Sequence, residues 1–289
     1  MTGGDARIAH LVVQAPDIET AALKALARLA GADRIEALQR GSDQAFALAL
    51  APGSSAAELE SYCARAGLDW AIVGPDQGLD RVRLIAMDMD STLITIECID
   101  EIAGIHGIRP QISAITASAM RGEIDFRESL TRRVALLAGL DLSALQRVYD
   151  ERLTLSPGAE RLLAGMRAVG AQSLLVSGGF TFFTERLKAR LGLDHACANT
   201  LEVAGGKLTG RLDGAIVDAE AKAACLQRLR AAVAVDGGLV VAIGDGANDV
   251  PMLEAADISV AYHAKPLVRA RTTYAIDRCG LDAVLNLFV

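Results

Sequence analysis

Two aspartates lie two positions apart where an apolar run of the chain ends. The segment LIAMDMDST places Asp88 and Asp90 directly after the run that begins at Leu84. Ligands of open parallel sheets bind beyond the carboxyl ends of the strands. Carboxylates this close repel each other unless a cation, a proton or a positively charged group lies between them. The spacing therefore predicts a ligand site at a strand end, with positive charge inside it.

Two further strand ends carry residues of complementary chemistry. The run QSLLVSGG ends in the serine and two glycines at 177–179, and AIGDGANDVPML places Asp245 between two glycines. Three carboxylates, from Asp88, Asp90 and Asp245, could gather oxygen ligands around Mg²⁺. The serine and the glycine amides, at the start of a predicted helix, could hold phosphate oxygens. Lys222 could neutralise the phosphate from the other side.

This combination indicates phosphoryl transfer to a carboxylate. One aspartate is free to attack phosphorus and form an aspartyl-phosphate. The other can give a proton to the leaving oxygen and later take one from water. Local cations also explain how a chain with a net charge of −7 could bind an anionic substrate.

The motifs D-x-D-S-T, S-G-G, Lys and G-D-G-x-N-D, in this order, resemble the haloacid dehalogenase superfamily of aspartate-nucleophile phosphatases. More narrowly, DMDSTLITIECIDEIA, VSGGFTFF and AIGDGANDVPML are similar to the phosphoserine phosphatases, and the similarity extends from about Leu84 to Val289. The resemblance implies Mg²⁺-dependent hydrolysis of O-phospho-L-serine to L-serine and phosphate through an aspartyl-phosphate. This reaction is the final step of L-serine biosynthesis.

The resemblance also implies roles for single residues. Asp88 would be the nucleophile and Asp90 the general acid and base. Mg²⁺ would be held by Asp88, the main-chain carbonyl of Asp90 and Asp245. Glu97 would bind the serine ammonium, Arg133 the serine carboxylate, and an aromatic ring would close over the substrate. The full set of implied substrate-binding residues is Glu97, Phe126, Arg133, Ser177, Gly178, Lys222 and Asn248, with Asp249 in support.

The elements that position these residues follow a change of pattern along the chain. Residues 1–78 alternate short strand-like and helical segments in the order βαββαβ, which is ferredoxin-like. The order resembles ACT-type regulatory domains, which bind amino acids or mediate dimers. The segment QAPDIETAAL lacks the D-x-P-G-type turn of ligand-binding examples, so a homodimer through this domain is favoured.

From residue 79 to 289 the pattern becomes a longer α/β alternation. Apolar runs such as VRLIAMD and GLVVAIGD are continuous, as expected for parallel strands buried on both faces. They predict a Rossmann-like parallel-sheet core over 79–98 and 154–289. A stretch of helical periodicity over about 99–153 predicts an inserted helical cap above the ligand end of the sheet.

Composition excludes several classes of function. The negative net charge disfavours nucleic-acid binding, which depends on Lys and Arg. No uncharged apolar run approaches the ~18 residues of a membrane span. The five cysteines are scattered without C-x-x-C spacing, which predicts reduced thiols and a cytoplasmic location.

Two alternatives remain open at the level of sequence. The first is a phosphatase or phosphotransferase for another small phosphoester, such as phosphothreonine or phosphohomoserine. The second is a catalytically inactive amino-acid sensor that uses the N-terminal unit. Turnover that survives deletion of residues 1–78 would eliminate the sensor.

Overall fold

The first sheet of the molecule has four antiparallel strands in the order β2-β3-β1-β4, with two helices packed on one face. The computed structural model describes residues 8–234 and 237–288. In chain order the elements are β1 (His10–Ala15), α1 (Thr20–Ala30), β2 (Ile35–Leu38), β3 (Gln44–Ala49), α2 (Ala56–Ala66) and β4 (Asp69–Val73). The predicted βαββαβ order is confirmed.

Strand β1 explains why this sheet has two covered faces. Side chains alternate across a strand, so neighbouring residues point to opposite sides. Leu11 and Val13 pack with the helices α1 and α2. Val12, between them, packs in the same apolar cluster as Val284 and Leu285 from the end of the chain. The sheet is therefore a layer between its own helices and the rest of the molecule.

The second sheet has seven strands in the order β11-β10-β9-β5-β6-β7-β8, parallel except for the antiparallel pair β7–β8. Its strands are β5 (Val82–Met87), β6 (Gln172–Phe180), β7 (His195–Ala204), β8 (Lys207–Asp213), β9 (Leu239–Gly244), β10 (Ile258–Tyr262) and β11 (Tyr274–Ile276). The helices are α3 (Cys98–Ile105), α4 (Arg109–Met120), α5 (Phe126–Ala135), α6 (Leu142–Glu151), α7 (Ala159–Ala168), α8 (Thr181–Leu191), α9 (Ala219–Val233), α10 (Val250–Glu254) and α11 (Pro266–Arg269). Short 3₁₀ segments lie at 79–81, 247–249 and 281–287.

Strand β5 lies at the centre of this sheet, between β9 and β6. Alternate residues of β5 belong to different apolar clusters: Ile85 and Met87 face one layer, while Leu84 and Ala86 face the other. This burial on both faces explains the continuous apolar sequence. Because β5, β6 and β9 run parallel, their carboxyl ends meet at one edge, where a ligand can bind.

Helices α3 to α6 form the insertion between β5 and α7, and this confirms the predicted helical cap. The loop that precedes α6 pairs with the β7–β8 hairpin. Gly139 donates its N–H to the carbonyl of Leu208 at 2.8 Å, and Leu208 donates to Leu140 at 2.8 Å. The hairpin therefore links the cap to the main sheet.

Buried polar contacts join the first sheet to the end of the chain. The carboxylate of Asp69 accepts backbone hydrogen bonds from Asp277, Arg278 and Cys279 at 2.9–3.0 Å. The side-chain amide of Asn286 donates to the side-chain oxygen of Gln14 at 3.0 Å, and both residues are buried. These contacts fix the two sheets relative to each other.

Two cysteines that are separated in the chain come together in the structure. The side chains of Cys197 in β7 and Cys225 in α9 are in contact through their sulfur atoms. The two residues meet because α9 packs over the sheet beside β6 and β7, a proximity that their separation of 28 positions does not reveal. The other cysteines are free and buried: Cys63, Cys98 and Cys279.

Within residues 8–234 and 237–288, none of the helices combines the length and the apolar character that crossing a bilayer requires.

Candidate active site

A polar cavity of about 120 Å³ lies between the carboxyl ends of β5, β6 and β9 and the helices of the cap. Most of the residues that sequence reasoning proposed for the site line it. They are Asp88, Asp90, Glu97, Phe126, Arg133, Ser177, Gly178, Asp245 and Asn248. The other two proposed residues, Lys222 and Asp249, lie behind Asp88 and are buried.

Lys222 connects the carboxylates at the floor of the cavity. Its Nζ donates to Asp88 Oδ1 at 2.6 Å and to Asp249 Oδ1 at 2.7 Å. Burial disfavours the ammonium ion, but the charges of Asp249 and Asp88 outweigh this effect and raise the pKa of Lys222. The lysine thus remains positive beside the carboxylate that faces the cavity.

Three carboxylates at this point could hold a metal ion. One oxygen each of Asp88, Asp245 and Asp249 lies within 4.8 Å of the other two. Carboxylate oxygens are the hard ligands that Mg²⁺ and Ca²⁺ prefer. Asp245 Oδ1 is held by the hydroxyl of Thr92 at 3.0 Å, and Asp249 Oδ2 accepts the N–H of Gly246 at 3.0 Å. The three carboxylates fit a divalent cation. Asp249, which the sequence analysis expected only to support the site, is one of them.

The electrostatics of these acids also favour a cation. Burial and then the charge of Asp249 raise the pKa of Asp88, although Lys222 opposes the shift. Burial and Asp249 raise the pKa of Asp245 to about 6. A bound divalent cation would be the largest local charge and would favour the ionised carboxylates.

Asp90 occupies a different environment from Asp88. Its Oδ1 is buried without a hydrogen-bond partner in the described part of the chain. Burial and then the charge of Glu97 raise the pKa of Asp90 to about 7, while hydrogen bonds from Cys98 at the start of α3 oppose the rise. Asp88 is paired with the Lys222 ammonium, whereas Asp90 Oδ1 has no partner among residues 8–234 and 237–288, so the first carboxyl is suited to carry charge and the second to carry a proton.

Residues 177–179, which we call the anion loop, end β6 before α8 begins. The ladder between β6 and β7 is irregular from Val176 to Phe180, so the backbone here leaves the regular sheet pattern. Ser177 Oγ accepts the N–H of Gly179 at 2.8 Å, which occupies one of the two glycine amides considered from sequence. The loop nevertheless places Ser177 and Gly178 on the cavity wall.

The cap supplies the opposite wall of the cavity. Glu97 Oε1 accepts a hydrogen bond from Ser91 Oγ at 2.8 Å, and burial raises the pKa of Glu97. Burial lowers the pKa of Arg133, although the charges of Asp100 and Glu97 oppose the shift. Glu97 and Arg133, which carry opposite charges when ionised, therefore face the same small cavity.

Phe126 packs directly against the anion loop. A Cβ added at Gly178 would lie 3.1 Å from the ring carbon Cζ of Phe126, so a glycine is needed for this close approach. Next to it, Arg127 Nε donates to Asp218 Oδ2 at 2.7 Å, across from the cap to the start of α9. In this conformation the cap covers the cavity.

Sequence reasoning missed several residues of the site. Besides the proposed residues and Gly179 of the anion loop, the cavity is lined by Ile99, Leu130 and Phe180. Ser91 and Thr92 fix Glu97 and Asp245 by hydrogen bonds, and their position inside the D-x-D-S-T motif was a signal for them. Asn199, which holds the anion loop from behind, lies within a strand and has no such signal.

Two family models match the chain. The haloacid dehalogenase-like hydrolase model matches residues 85–254. A model described only as a domain of unknown function (DUF4072) matches residues 11–58, within the first sheet.

Relatives match a larger part of the chain. A phosphoserine phosphatase of Polaromonas sp. is 48% identical over 226 residues, which is 76% of this chain and 96% of the relative. The solved structure of a probable phosphoserine phosphatase from Vibrio cholerae, in unliganded form, covers all of this chain and 88% of its own, with a TM-score of 0.83 and 35% identity. A phospho-aspartyl intermediate analogue of phosphoserine phosphatase covers 72% of this chain and 99% of its own, with a TM-score of 0.65 and 36% identity.

Proposed function

Because the chain belongs to the phosphoserine phosphatase family of haloacid dehalogenase-like hydrolases, we propose that it hydrolyses O-phospho-L-serine to L-serine and phosphate (EC 3.1.3.3). The observation that carries the proposal is the cavity in which Asp88, bound to Lys222, faces Glu97 and Arg133. In this assignment the enzyme catalyses the final step of L-serine biosynthesis.

The substrate presents three charged groups, and the cavity offers a partner for each. Arg133 would bind the carboxylate, for which a guanidinium offers two parallel donors. Glu97, held by Ser91, would bind the ammonium. The anion loop would receive the phosphoryl oxygens, and Phe126 would cover the bound substrate.

In the first chemical step an oxygen of Asp88 attacks phosphorus. The bond between phosphorus and the serine oxygen breaks as the aspartyl-phosphate forms. Asp90, whose pKa is about 7, gives its proton to the departing oxygen and so releases neutral serine hydroxyl. Lys222 stabilises the negative charge beside Asp88 throughout.

In the second step water hydrolyses the aspartyl-phosphate. Asp90, now ionised, takes a proton from the attacking water, and the bond between phosphorus and Asp88 breaks. Phosphate leaves, and both carboxyls return to their starting states. The cap excludes water during the first step, because early access of water would compete with transfer to Asp88.

Mg²⁺ is the proposed cofactor, held by Asp88, the main-chain carbonyl of Asp90 and Asp245, with Asp249 in support. When bound, it would supply positive charge to the phosphoryl oxygens and keep the carboxylates ionised. The cluster of Asp88, Asp245 and Asp249 supports a metal site of this kind. Asn248 would contact the phosphoryl group from the same side.

We propose residues 1–78 and 79–289 as the two domains, with the cap at about 99–153. A homodimer through the N-terminal domain is proposed with β2 as the contact, because β2 is an edge strand and Ile35 on it is exposed. Sedimentation analysis of the native chain and of Ile35→Lys would test it, and a monomeric native chain would contradict it. We also propose a cytoplasmic location, which cell fractionation would test.

The function is tested by phosphate release from O-phospho-L-serine, with Mg²⁺ and with EDTA. We expect Mg²⁺-dependent release from the native chain and a loss of about 10⁴-fold or more in Asp88→Asn, because the nucleophile is removed. Comparison of kcat/KM for phosphoserine, phosphothreonine and phosphohomoserine tests the substrate. A preference for either alternative would contradict the serine assignment, and absence of any turnover would favour the sensor.

A further inference from the structure

Asn199 uses its whole side-chain amide to join two parts of the site. Its Nδ2 donates to the carbonyl of Gly178 at 2.8 Å and to the carbonyl of Val217 at 3.4 Å. Its Oδ1 accepts the N–H of Val217 at 2.7 Å. Asn199 lies in β7, does not line the cavity, and is 1% exposed.

The two segments that Asn199 joins carry the predicted phosphoryl contacts. Gly178 is the middle residue of the anion loop. Val217 immediately precedes Asp218, whose side chain accepts the N–H of Ala221 at 3.0 Å and so caps the N-terminus of α9. One turn into that helix, Lys222 reaches Asp88. The side-chain amide of Asn199 therefore holds the anion loop and the start of α9, from the side opposite the substrate.

Because Asn199 is buried, loss of any of these hydrogen bonds would be costly. A buried polar group that loses its partner costs ~1–3 kcal/mol, so the amide and the backbone groups it binds must stay paired. No water-exposed alternative exists for a side chain that is 1% exposed. The distance between the anion loop and the start of α9 is thus set by the size of one asparagine.

We propose that Asn199 is a positioning residue that fixes the anion loop and Lys222 relative to each other around the phosphoryl group. This inference rests on the proposed function. Catalysis by charge stabilisation requires donors that are already in place when negative charge develops. A displacement of about 1 Å in such a site can cost ~10²-fold in rate.

The position predicts a kinetic effect that does not depend on the serine part of the substrate. Asn199→Asp keeps the volume and can still accept from Val217, but it cannot donate to Gly178. Asn199→Leu removes all three hydrogen bonds. We expect kcat to fall about 10- to 100-fold in Asn199→Asp and further in Asn199→Leu. The same fold-change is expected for phosphoserine and for p-nitrophenyl phosphate, and the inhibition constant of inorganic phosphate should rise.

Asn286→Leu is the matched control. Asn286 is also 1% exposed and also donates its amide to one buried oxygen, that of Gln14, but it lies in the contact between the two sheets. We expect Asn286→Leu to lower the melting temperature while kcat and phosphate inhibition stay at native values. If Asn199→Leu does not fold, the kcat and phosphate inhibition of Asn199→Asp are compared with those of Asn286→Leu instead.

Two results separate the possible failures. If folded Asn199→Asp keeps native kcat and phosphate inhibition, Asn199 is only structural and the inference is wrong. If the native chain turns over p-nitrophenyl phosphate but not phosphoserine, the proposed substrate is wrong, while the effect of Asn199 on the aryl phosphate still tests the inference.

Discussion

Burial of the Asp90 carboxyl and the negative charge of Glu97 beside it raise the pKa of Asp90 to about 7. A general acid works only while it holds its proton, so formation of the aspartyl-phosphate should weaken above this pH. We predict that kcat/KM falls about tenfold per pH unit above about 7. Asp90→Asn should lose this limb and lower kcat/KM by ~10²–10⁴-fold. A pH profile of phosphate release checks both, and a limb that persists in the variant would assign it to another group.

The same carboxyl makes the metal-free fold sensitive to pH. The ordinary pKa of an aspartate is 3.8, and that of Asp90 in the native state is about 7, so between these pH values the native state binds one more proton than the unfolded state. The stabilisation that Asp90 contributes should therefore be complete at low pH. The free energy of unfolding should decrease as the pH rises to about 7. Asp90→Asn should be more stable than native at pH 8 by ~1–3 kcal/mol. Thermal unfolding in EDTA at pH 5 and pH 8 measures this difference.

For Asp90→Asn the pH dependence should shrink without vanishing, because Asp245 also has a raised pKa, about 6. Equal stability of native chain and variant at pH 8 would contradict the assignment of the shift to Asp90.

Ser91 holds Glu97, the proposed partner of the serine ammonium. Its Oγ donates to Glu97 Oε1 at 2.8 Å, and its backbone has a φ of 58°. Both Ser91→Ala and Ser91→Gly remove the hydroxyl, but only glycine adopts this φ without strain. We predict a rise in KM for phosphoserine of ~3- to 10-fold in both variants, since one hydrogen bond is lost. KM for p-nitrophenyl phosphate should not change, and a rise in the alanine variant alone would indicate a backbone effect.

At the scale of elements, the cap is held against the β7–β8 hairpin by close packing as well as by hydrogen bonds. Gly210 in β8 has a φ of 81°, and an added Cβ would lie 2.9 Å from the Cβ of Ala138 in the cap. Gly214, just beyond β8, has a φ of 85°, and an added Cβ would meet nothing within 4 Å. The two glycines thus share a backbone requirement and differ only in contact with the cap.

Alanine at these two positions separates strain from cap displacement. We predict that both Gly210→Ala and Gly214→Ala lose ~1 kcal/mol of stability through the left-handed backbone. Only Gly210→Ala should also raise KM for phosphoserine, because the added methyl pushes the cap away from the hairpin. Thermal unfolding and steady-state kinetics test the pair, and equal KM values would show that the hairpin does not position the cap.

The parts of the site that were predictable from local pattern, without the family resemblance, lie at strand ends. Asp88, Asp90 and Asp245 follow buried runs directly, so local pattern was enough to bring them together. Asn199 was not predictable, because a polar residue within a strand gives no sign of what its side chain meets across the sheet. The contact between Cys197 and Cys225 was not predictable for a similar reason, since helix packing over the sheet, not spacing, brings the sulfurs together.

At the scale of the whole molecule, the two sheets share one apolar cluster and a buried polar contact. Val12 and Val73 of the first sheet belong to the same cluster as Leu287 and Phe288. Removal of residues 1–78 would therefore expose apolar surface of the remaining chain, and loss of turnover in that deletion would not by itself support a sensor. None of these contacts was visible in the sequence, because the residues that meet are more than 200 positions apart.

Asp69 provides the test of this connection. Its carboxylate accepts three backbone N–H groups from residues 277–279. We predict that Asp69→Ala lowers the free energy of unfolding by ~2–4 kcal/mol, because buried donors lose a charged partner. Asp33→Asn, at an exposed position of the same sheet domain, is the control and should change it by less than ~0.5 kcal/mol. Denaturant unfolding measures both, and equal stability of the two variants would show that the contact is dispensable.

The contact between Gln14 and Asn286 joins residues 272 positions apart, and this separation determines the order in which the two partners emerge from the ribosome. Ribosomes add ~5–20 residues per second, so the first sheet emerges tens of seconds before the segment that covers its second face. During that interval Val12, Ala47 and Ala71 have no partner from the end of the chain. The nascent chain thus presents a bare apolar sheet face for most of its translation. A chaperone bound near the exit tunnel would be in the right place to shield this face.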